Sequence, residues 1–339
     1  MDNKITKSRF SSFIAYEWIK IIVVILVAVF FWEFMFAFTG VRLSHGQQFK
    51  VLYDEYLSSD YEKDIIYATI ENKAFSYDVI DLGSEFMYPG LDNIIDTRYQ
   101  TFDGDVVVTS HKELVTDEKV KYHRTYSIID AYNVWSFEKA LKDGESYLKG
   151  LLKKEFANDV QKVYDYDNLD PAKIENLFRT RMKKDNRFRS ESQKKEGIKL
   201  EKQRIQKICE NLKITKYLLE NHPDLFLRYT KYTQRAIYTP SANSLLTAEK
   251  AKNLEKYGSE TVSYGINLEK LVLDTSQGMP KDKFEITVFF INENSTANDL
   301  VMLAYDFTSK QRDLQFESLS FINTCIKMCS NLLDNVGFR

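Results

Sequence analysis

The acidic residues between positions 78 and 105 are the first in this sequence whose types and spacing could do chemistry. Asp103 and Asp105 enclose a glycine, a spacing that suggests a loop of cation ligands. A calcium loop of the EF-hand type needs further oxygen ligands and a Glu at fixed positions, and these are missing, so a turn before a strand is favoured. Asp78 and Asp81 flank a predicted strand, but residues three apart on a strand point to opposite faces and make a poor acid–base couple. Neither pair therefore predicts a metal or catalytic site.

The three cysteines, Cys209, Cys325 and Cys329, do not form a recognisable chemical motif. Cys325 and Cys329 are four residues apart on a predicted helix, where the Cα atoms would be about 6 Å apart but the Cβ directions suit a disulfide poorly. Small core residues on one helix face are the favoured interpretation, and whether the two are bridged stays open. None of the four histidines stands at a zinc-ligand spacing from them, so no metal site is predicted.

The sequence also lacks the motifs that would mark a nucleotide-binding or hydrolytic site. There is no GxGxxG, GxxxxGK[ST], HExxH or GxSxG pattern anywhere in the chain. We therefore expect a protein that is not an enzyme and that needs neither a cofactor nor a metal.

Aromatic residues near the ends of predicted strands could line a ligand cleft. Ligands of parallel α/β sheets bind beyond the carboxyl ends of the strands, where the strand order reverses. The predicted ends are Asp81–Gly83, Thr109–Ser110 and Asn292–Glu293. Tyr88, Tyr132 and Trp135 lie near them, and a ring with a polar tip suits stacking on a planar solute. The alternative is that the same rings fill the core.

Composition places the chain among globular proteins and excludes several classes. Its 339 residues suggest two domains, or one with a large insertion. A net charge of −2 excludes a generally basic nucleic-acid binder, and three cysteines exclude a disulfide-stapled small protein. Because there are only 12 Gly and 5 Pro, a turn-rich β-sandwich or barrel is disfavoured. An α/β protein remains.

A long apolar segment near the N-terminus predicts a transmembrane signal anchor at residues 19–41. Residues 21–32 are all apolar, and with the residues that follow they are long enough to cross a ~30 Å hydrocarbon core. Four basic residues precede this run and two follow it, which predicts residues 1–18 in the cytoplasm and the rest of the chain outside. A cleaved signal peptide is disfavoured because the apolar region is too long. We expect a single-pass plasma-membrane protein that contacts the lipid bilayer through this segment.

Glu33 is the one carboxylate within that apolar segment. An intramembrane carboxylate costs about 3 kcal/mol and often marks a functional contact. Two interpretations stay open. Glu33 pairs with a basic residue of a neighbouring transmembrane protein, or it lies toward the outer interface, hydrated or protonated, without a specific partner.

The pattern after the anchor predicts an α/β subdomain at residues 47–150. Apolar alternation and β-branched runs, typical of strands, alternate with capped stretches of helical period. The expected strands are 49–53, 76–82 and 106–110, with helices at 56–67 and 91–100 between them. Strands separated by helices in this order imply a parallel sheet.

Residues 151–235 predict a charged helical insertion. Within it residues 171–230 are expected to be helical, with Asp170 and Pro171 as the N-cap and the first helical residue. Between Arg179 and Arg204 there are eleven Lys/Arg and four Asp/Glu, whereas residues 50–105 carry four basic and thirteen acidic residues. The basic stretch is either a patch for anionic lipid head groups, cell-wall polymer or an acidic partner, or a solvated helical hairpin.

Residues 236–339 are expected to return to the α/β domain. Residues 283–292 have the apolar character of a buried strand, and residues 314–333 predict a C-terminal helix. The expected fold class is therefore α/β, with one N-terminal transmembrane helix followed by an extracytoplasmic parallel-sheet domain that carries a charged helical insertion.

The stretch FSYDVIDLGSEFMYPGLDNIIDTRYQTFDGDVVVTS, Phe75–Ser110, resembles part of the extracytoplasmic solute-binding proteins of ABC transporters. In that family a strand, a helix and a GDVVV strand follow one another, and the resemblance implies that Asp105 precedes a strand entering a ligand cleft. SYGINLEKL, Ser263–Leu271, is similar to the family's stretch before its late core strand, and residues 314–333 are similar to its terminal helix. The resemblance extends to small anchored relatives in Gram-positive bacteria that share a GQ-F stretch, here residues 46–49.

Two functions follow from these expectations. The first is a membrane-anchored, solute-binding-like module accessory to a transporter, with transporter subunits and a small solute as partners. Its candidate ligand-binding residues are Tyr88, Asp105, Tyr132 and Trp135. The alternative is a structural or assembly partner of a membrane complex that binds no ligand. Nucleic acid is not an expected partner on that side of the membrane.

Overall fold

In the computed structural model the chain divides into two compact units, Met1–Leu43 and Ser44–Arg339. The residues that the structure describes are 7–39, 48–53, 73–76, 81–86, 105–111, 113–115, 121–123, 125, 129, 134–182, 185–230, 261–267, 286–290, 307–330, 332–333 and 336. The two helices predicted at 56–67 and 91–100 lie outside the described residues.

The first unit contains the long helix α1, Lys7–Thr39. Its window Trp18–Phe36 has a mean hydropathy of 2.5, and none of that window is buried by the rest of the protein. It is the one candidate membrane-spanning helix among the described residues. A helix that is apolar all round, rather than on one stripe, has the character of a membrane span.

A six-stranded sheet organises the second unit. Its strands are β1 (Gln48–Tyr53), β2 (Asp81–Phe86), β3 (Val106–Ser110), β6 (Phe226–Thr230), β7 (Thr261–Asn267) and β8 (Ile286–Phe290). They lie in the order β2-β1-β3-β8-β7-β6. Two short strands, β4 (Glu113–Val115) and β5 (Lys121–His123), form a separate antiparallel pair.

The predicted α/β class with parallel strands is confirmed for one half of this sheet. β1 is parallel to both β2 and β3, with Val51 opposite Val106. The other half corrects the prediction, because β8 runs antiparallel to β3 and the pairs β7–β8 and β6–β7 are also antiparallel. An apolar run such as that of β8 suits a buried strand of either direction, so its direction is set by the connections and not by its own residues.

The central strands β1 and β3 are buried on both faces. Phe49 and Val51 point to one side of β1 and Leu52 to the other, and all three are buried. In β3, Val106 and Val107 are buried in the same alternating way. This double burial explains why these strands are nearly continuous apolar runs in the sequence.

Four helices of the second unit are α2 (Phe137–Leu151), α3 (Pro171–Arg181), α4 (Glu191–Asn221) and α5 (Phe307–Cys329). α4 packs against α2, α3 and α5. The predicted start of α3 is confirmed, because the Asp170 side chain accepts a hydrogen bond from the Ala172 N–H and Pro171 occupies the first turn. Ser190 and Gln193 form a capping box that begins α4.

The charged segment 151–235 is part of the folded core. On α4, Ile205, Ile208 and Leu212 are buried in the main apolar cluster, since spacings of three and four residues place them on one helix face. The same segment contains β6, which pairs with β7. The prediction of helix through Thr230 was therefore wrong for Phe226–Thr230, where pairing with a neighbouring strand decides the structure.

Candidate functional site

Trp135, a predicted ligand-binding residue, lies in the apolar core. It is 0 % exposed, and its ring centroid lies 6.4 Å from that of Phe316 on α5 in an edge-on arrangement. Its indole Nε1–H donates a hydrogen bond to Asp143 Oδ2 on α2 at 3.3 Å. Trp135 thus fills the space between two helices and satisfies its polar atom within the fold.

Asp105 holds the start of β3 against β1. Its Oδ2 accepts a hydrogen bond from the Lys50 N–H at 2.7 Å, and its own N–H donates to the Lys50 carbonyl at 2.8 Å. The Ser318 hydroxyl on α5 approaches the Asp105 carbonyl oxygen at 3.4 Å. The side chain is buried, so these contacts fix the register of two parallel strands.

The other predicted site residues are less informative. Tyr88 and Tyr132 lie outside the described residues. Glu33 is on α1, where its side chain is exposed, as are those of its neighbours Trp32 and Phe34. Trp135 and Asp105 are therefore the two predicted ligand-binding residues that the structure describes.

The carboxyl edge of the parallel strands is where the strand order reverses. The chain passes from β1 to β2 on one side and returns to β3 on the other, so the reversal lies between β1 and β3. At this edge Thr109 is buried and His111 Nδ1 contacts the Thr125 hydroxyl. Asp105 precedes β3 and lies at the other end of the strand, five residues before Ser110, or about 16 Å away at about 3.3 Å per residue.

Two of the three predicted carboxyl ends of strands lie within the described residues, and one of these two is correct. Thr109–Ser110 does end β3. Asp81–Gly83 instead begins β2, which runs to Phe86, so that assignment was wrong. Asn292–Glu293 lies outside the described residues, and because β8 is antiparallel to β3, the chain leaves β8 at the opposite edge.

A buried ionic cluster, which the sequence patterns did not reveal, joins three helices. The Glu201 carboxylate on α4 accepts hydrogen bonds from Arg181 Nη1 on α3 at 2.9 and 2.6 Å. It also accepts from Arg204 Nη2, one turn further along α4, at 2.8 Å. Arg204 Nη2 donates to the Tyr147 hydroxyl on α2 at 2.9 Å. Paired in this way, charged groups are tolerated in a low-dielectric interior.

A second buried carboxylate, Glu317 on α5, continues this polar region. Its Oε2 accepts a hydrogen bond from the Ser76 N–H at 2.9 Å. Burial raises the pKa of Glu317 above its usual range, although the charges of Arg204 and Lys207 act in the opposite direction. Burial lowers the pKa of Lys207, whose ammonium donates to the carbonyls of Lys73 and Phe75. Segment 73–76 is thereby tied to both α4 and α5.

A sequence signal for this cluster exists, although it is weak. Glu201 and Arg204 lie at helical spacing from Ile205 and Ile208, so they share the apolar stripe of α4. Charged residues inside such a stripe must pair with one another or with a neighbouring helix. The partner Arg181 is twenty residues away and belongs to a different helix, which the spacing does not reveal.

The cysteines on α4 and α5 have the character of core residues. Burial raises the pKa of Cys209 to about 12, so its thiol is protonated at neutral pH. Cys325 is also a buried thiol, and the side chain of Cys329 lies outside the described part of the structure. Within the described residues there is no group of three or more potential metal ligands.

Comparisons of this chain with protein-family models, curated proteins and solved structures found no match. The resemblance to solute-binding proteins therefore stays a prediction.

Proposed function

We propose that this chain is a single-pass membrane protein whose folded domain is an accessory, non-catalytic part of a membrane complex. The observation that carries the proposal is α1, which exposes an apolar window from Trp18 to Phe36 on every side. Lipid accommodates such a helix, whereas water does not. The basic residues before its apolar run support a cytoplasmic N-terminus and a domain on the far side of the plasma membrane.

The contacts that Trp135 and Asp105 make within the fold favour binding to another protein over binding of a small solute. Trp135 is committed to core packing and Asp105 to the register of β1 and β3. Both residues are buried within the fold. Glu33, in contrast, offers a carboxylate on an exposed surface of α1, where a basic residue of a neighbouring transmembrane helix would be a suitable partner.

The anchorage is tested by extracting membranes with alkaline carbonate. The full chain should stay in the membrane pellet, and a chain that begins at Gln47 should move to the supernatant because it lacks the apolar helix. Release of the full chain by carbonate would contradict a membrane span.

The partner contact is tested by crosslinking the full chain in membranes and recovering it in mild detergent. Glu33→Leu should reduce recovery of the crosslinked partner, and Glu33→Gln should retain part of it because the amide still forms hydrogen bonds. Phe34→Leu, a change at the adjacent exposed position, is the matched control. If Glu33→Leu and Glu33→Gln recover as much crosslinked partner as the Phe34→Leu control does, Glu33 is excluded as the contact.

A second candidate function is binding of a small solute at the carboxyl edge of β1 and β3. The specific observation in its favour is the reversal of strand order at that edge. A thermal-shift screen with sugars, amino acids and peptides tests it, since a solute at 100 times its Kd adds about 2.7 kcal/mol to the free energy of unfolding. His111→Gln should weaken a true shift, whereas His222→Gln, far along the chain on a helix end, should not. A screen without saturable stabilisation would contradict this function.

A further inference from the structure

The outer face of α4 carries a row of lysines. Its members, all exposed, are Lys195, Lys199, Lys202, Lys213 and Lys216. Their spacings place them on one face of a helix with 3.6 residues per turn, opposite the buried stripe. From the first to the last, the row runs for about 31 Å at 1.5 Å per residue. The positive charge therefore forms a line and not a pocket.

Few acidic side chains neutralise this lysine row. Glu196 lies beside it and approaches Lys199 at 3.7 Å in an ion pair that is exposed on both sides. Glu191 and Glu220, also exposed, stand one turn beyond the two ends of the row, and Glu191 pairs with Lys194 at 2.6 Å. Exposed ion pairs of this kind are weak, because water and salt screen them. Lys199 can therefore exchange Glu196 for another anion at little cost.

We propose that the lysine row is the face through which the folded domain contacts an anionic lipid surface, that of the membrane that α1 spans. The other exposed positions on this face include Ser192, Gln203 and Gln206. Among the exposed positions of α4 there is no Trp, Tyr or Arg, the side chains that dominate protein–protein contacts, and Tyr217, one turn after Lys213, is half-buried against the core. Lysine ammonium groups are compact point charges, and their attraction to anionic head groups needs no shape complementarity.

The short connection to α1 supports this choice of partner. Only residues 40–47 separate the end of α1 from the start of β1. Such a tether keeps the domain at a high effective concentration beside the lipid surface, so that individually weak charge contacts become populated. The inference rests on the proposed anchorage, since without a span the lysine row would have no adjacent bilayer.

The test uses the full chain in nanodiscs and the chemical reactivity of individual lysines. Nanodiscs of phosphatidylcholine alone are compared with nanodiscs that also contain phosphatidylglycerol, and acetylation rates are read by mass spectrometry. All five lysines of the row should react about fivefold more slowly on the anionic nanodiscs. This protection should disappear in about 1 M salt, where the Debye length falls to about 3 Å. The controls Lys142 and Lys154, which are exposed outside α4, should react at the same rate on both kinds of nanodisc.

A charge-reversal variant separates lipid contact from a change in folding. In a chain with Lys195→Glu, Lys199→Glu and Lys202→Glu, the remaining Lys213 and Lys216 should lose their protection on anionic nanodiscs, while the melting temperature stays unchanged. Equal acetylation on both lipid compositions, or protection that persists in high salt, would overturn the proposal. Failure of the full chain to enter nanodiscs at all would overturn both the anchorage and the lipid contact. A chain that enters nanodiscs but shows equal acetylation on both lipid compositions would overturn the lipid contact alone.

Discussion

Arg181 and Glu201 form an ion pair inside the fold and not on its surface. The Arg181 side chain is 6 % exposed and that of Glu201 is 0 % exposed, and Arg181 Nη1 lies 2.6 Å from Glu201 Oε2. The pair joins α3 to α4, and Arg204 extends it to Tyr147 on α2. The buried charges therefore fix how three helices are placed against one another.

Removal of one partner of this pair should destabilise the protein strongly. In Arg181→Ala the buried carboxylate loses two hydrogen bonds, and we expect a loss of about 3–5 kcal/mol in the free energy of unfolding, measured by urea titration. Arg179→Ala is the matched control on the same helix, because Arg179 pairs with Glu175 in the open. It should cost less than about 1 kcal/mol. Equal losses in the two variants would contradict a special role for the buried pair.

The buried carboxyl of Glu317 should make stability depend on pH. Its folded-state pKa is raised by burial, so the stabilising contribution is complete below the ordinary glutamate pKa and is lost as pH rises through the folded value. Glu317→Gln keeps an acceptor for the Ser76 N–H but cannot ionise. The variant should therefore gain stability relative to the natural chain between about pH 5 and pH 8, by at most about 1.4 kcal/mol per pH unit. Urea titrations of the natural chain and of Glu317→Gln at the two ends of this pH range measure the difference between their free energies of unfolding. A difference that is the same at both ends would contradict the prediction.

Two glycines in helices should respond in opposite ways to alanine. A Cβ on Gly197 of α4 would overlap the Phe178 ring and lie 2.9 Å from the Phe188 ring, so Gly197→Ala should cost about 1–3 kcal/mol through overpacking. A Cβ on Gly150 of α2 would meet no other atom within 4 Å. Gly150→Ala should be neutral or stabilise by about 0.5–1 kcal/mol, since alanine favours helix. Thermal unfolding of both variants checks the sign, and destabilisation by both would contradict the packing argument.

Trp135→Ala should unfold the protein more easily and not merely weaken a ligand contact. Loss of a completely buried indole that packs against Phe316 should cost about 3–5 kcal/mol. Trp135→Phe keeps an aromatic ring and loses the hydrogen bond to Asp143, so its cost should be smaller. Urea titration of both variants is the measurement. An unchanged free energy of unfolding for Trp135→Ala would restore a role for Trp135 at a surface.

Features set by neighbouring residues could be predicted from the sequence. The apolar run of α1, the Asp170–Pro171 start of α3 and the β-branched strand β3 all appear where they were expected. Each depends on local physics: hydrocarbon length, a cap for exposed N–H groups, and the preference of branched side chains for extended backbone. No distant residue is needed to specify them.

Features that depend on distant residues were wrong or missed. Phe226–Thr230 was predicted as helix, yet it forms β6 because it pairs with β7, about thirty residues later in the chain. The direction of β8 was also unspecified by its own apolar residues. The ionic cluster needed Arg181 and Glu201 to meet across two helices, which no spacing in the sequence shows.

The sequence by itself determined an apolar N-terminal helix, an α/β pattern and a basic stretch, since hydrophobicity, charge and periodicity are properties of consecutive residues. The tertiary structure decided that Trp135 and Asp105 are buried and that their polar atoms form hydrogen bonds within the fold. The sequence predicts both as ligand-binding residues. In the fold Trp135 packs in the core, and Asp105 forms hydrogen bonds that set the register of β1 and β3. Burial depends on which elements pack together, and that packing exists only once the chain has folded.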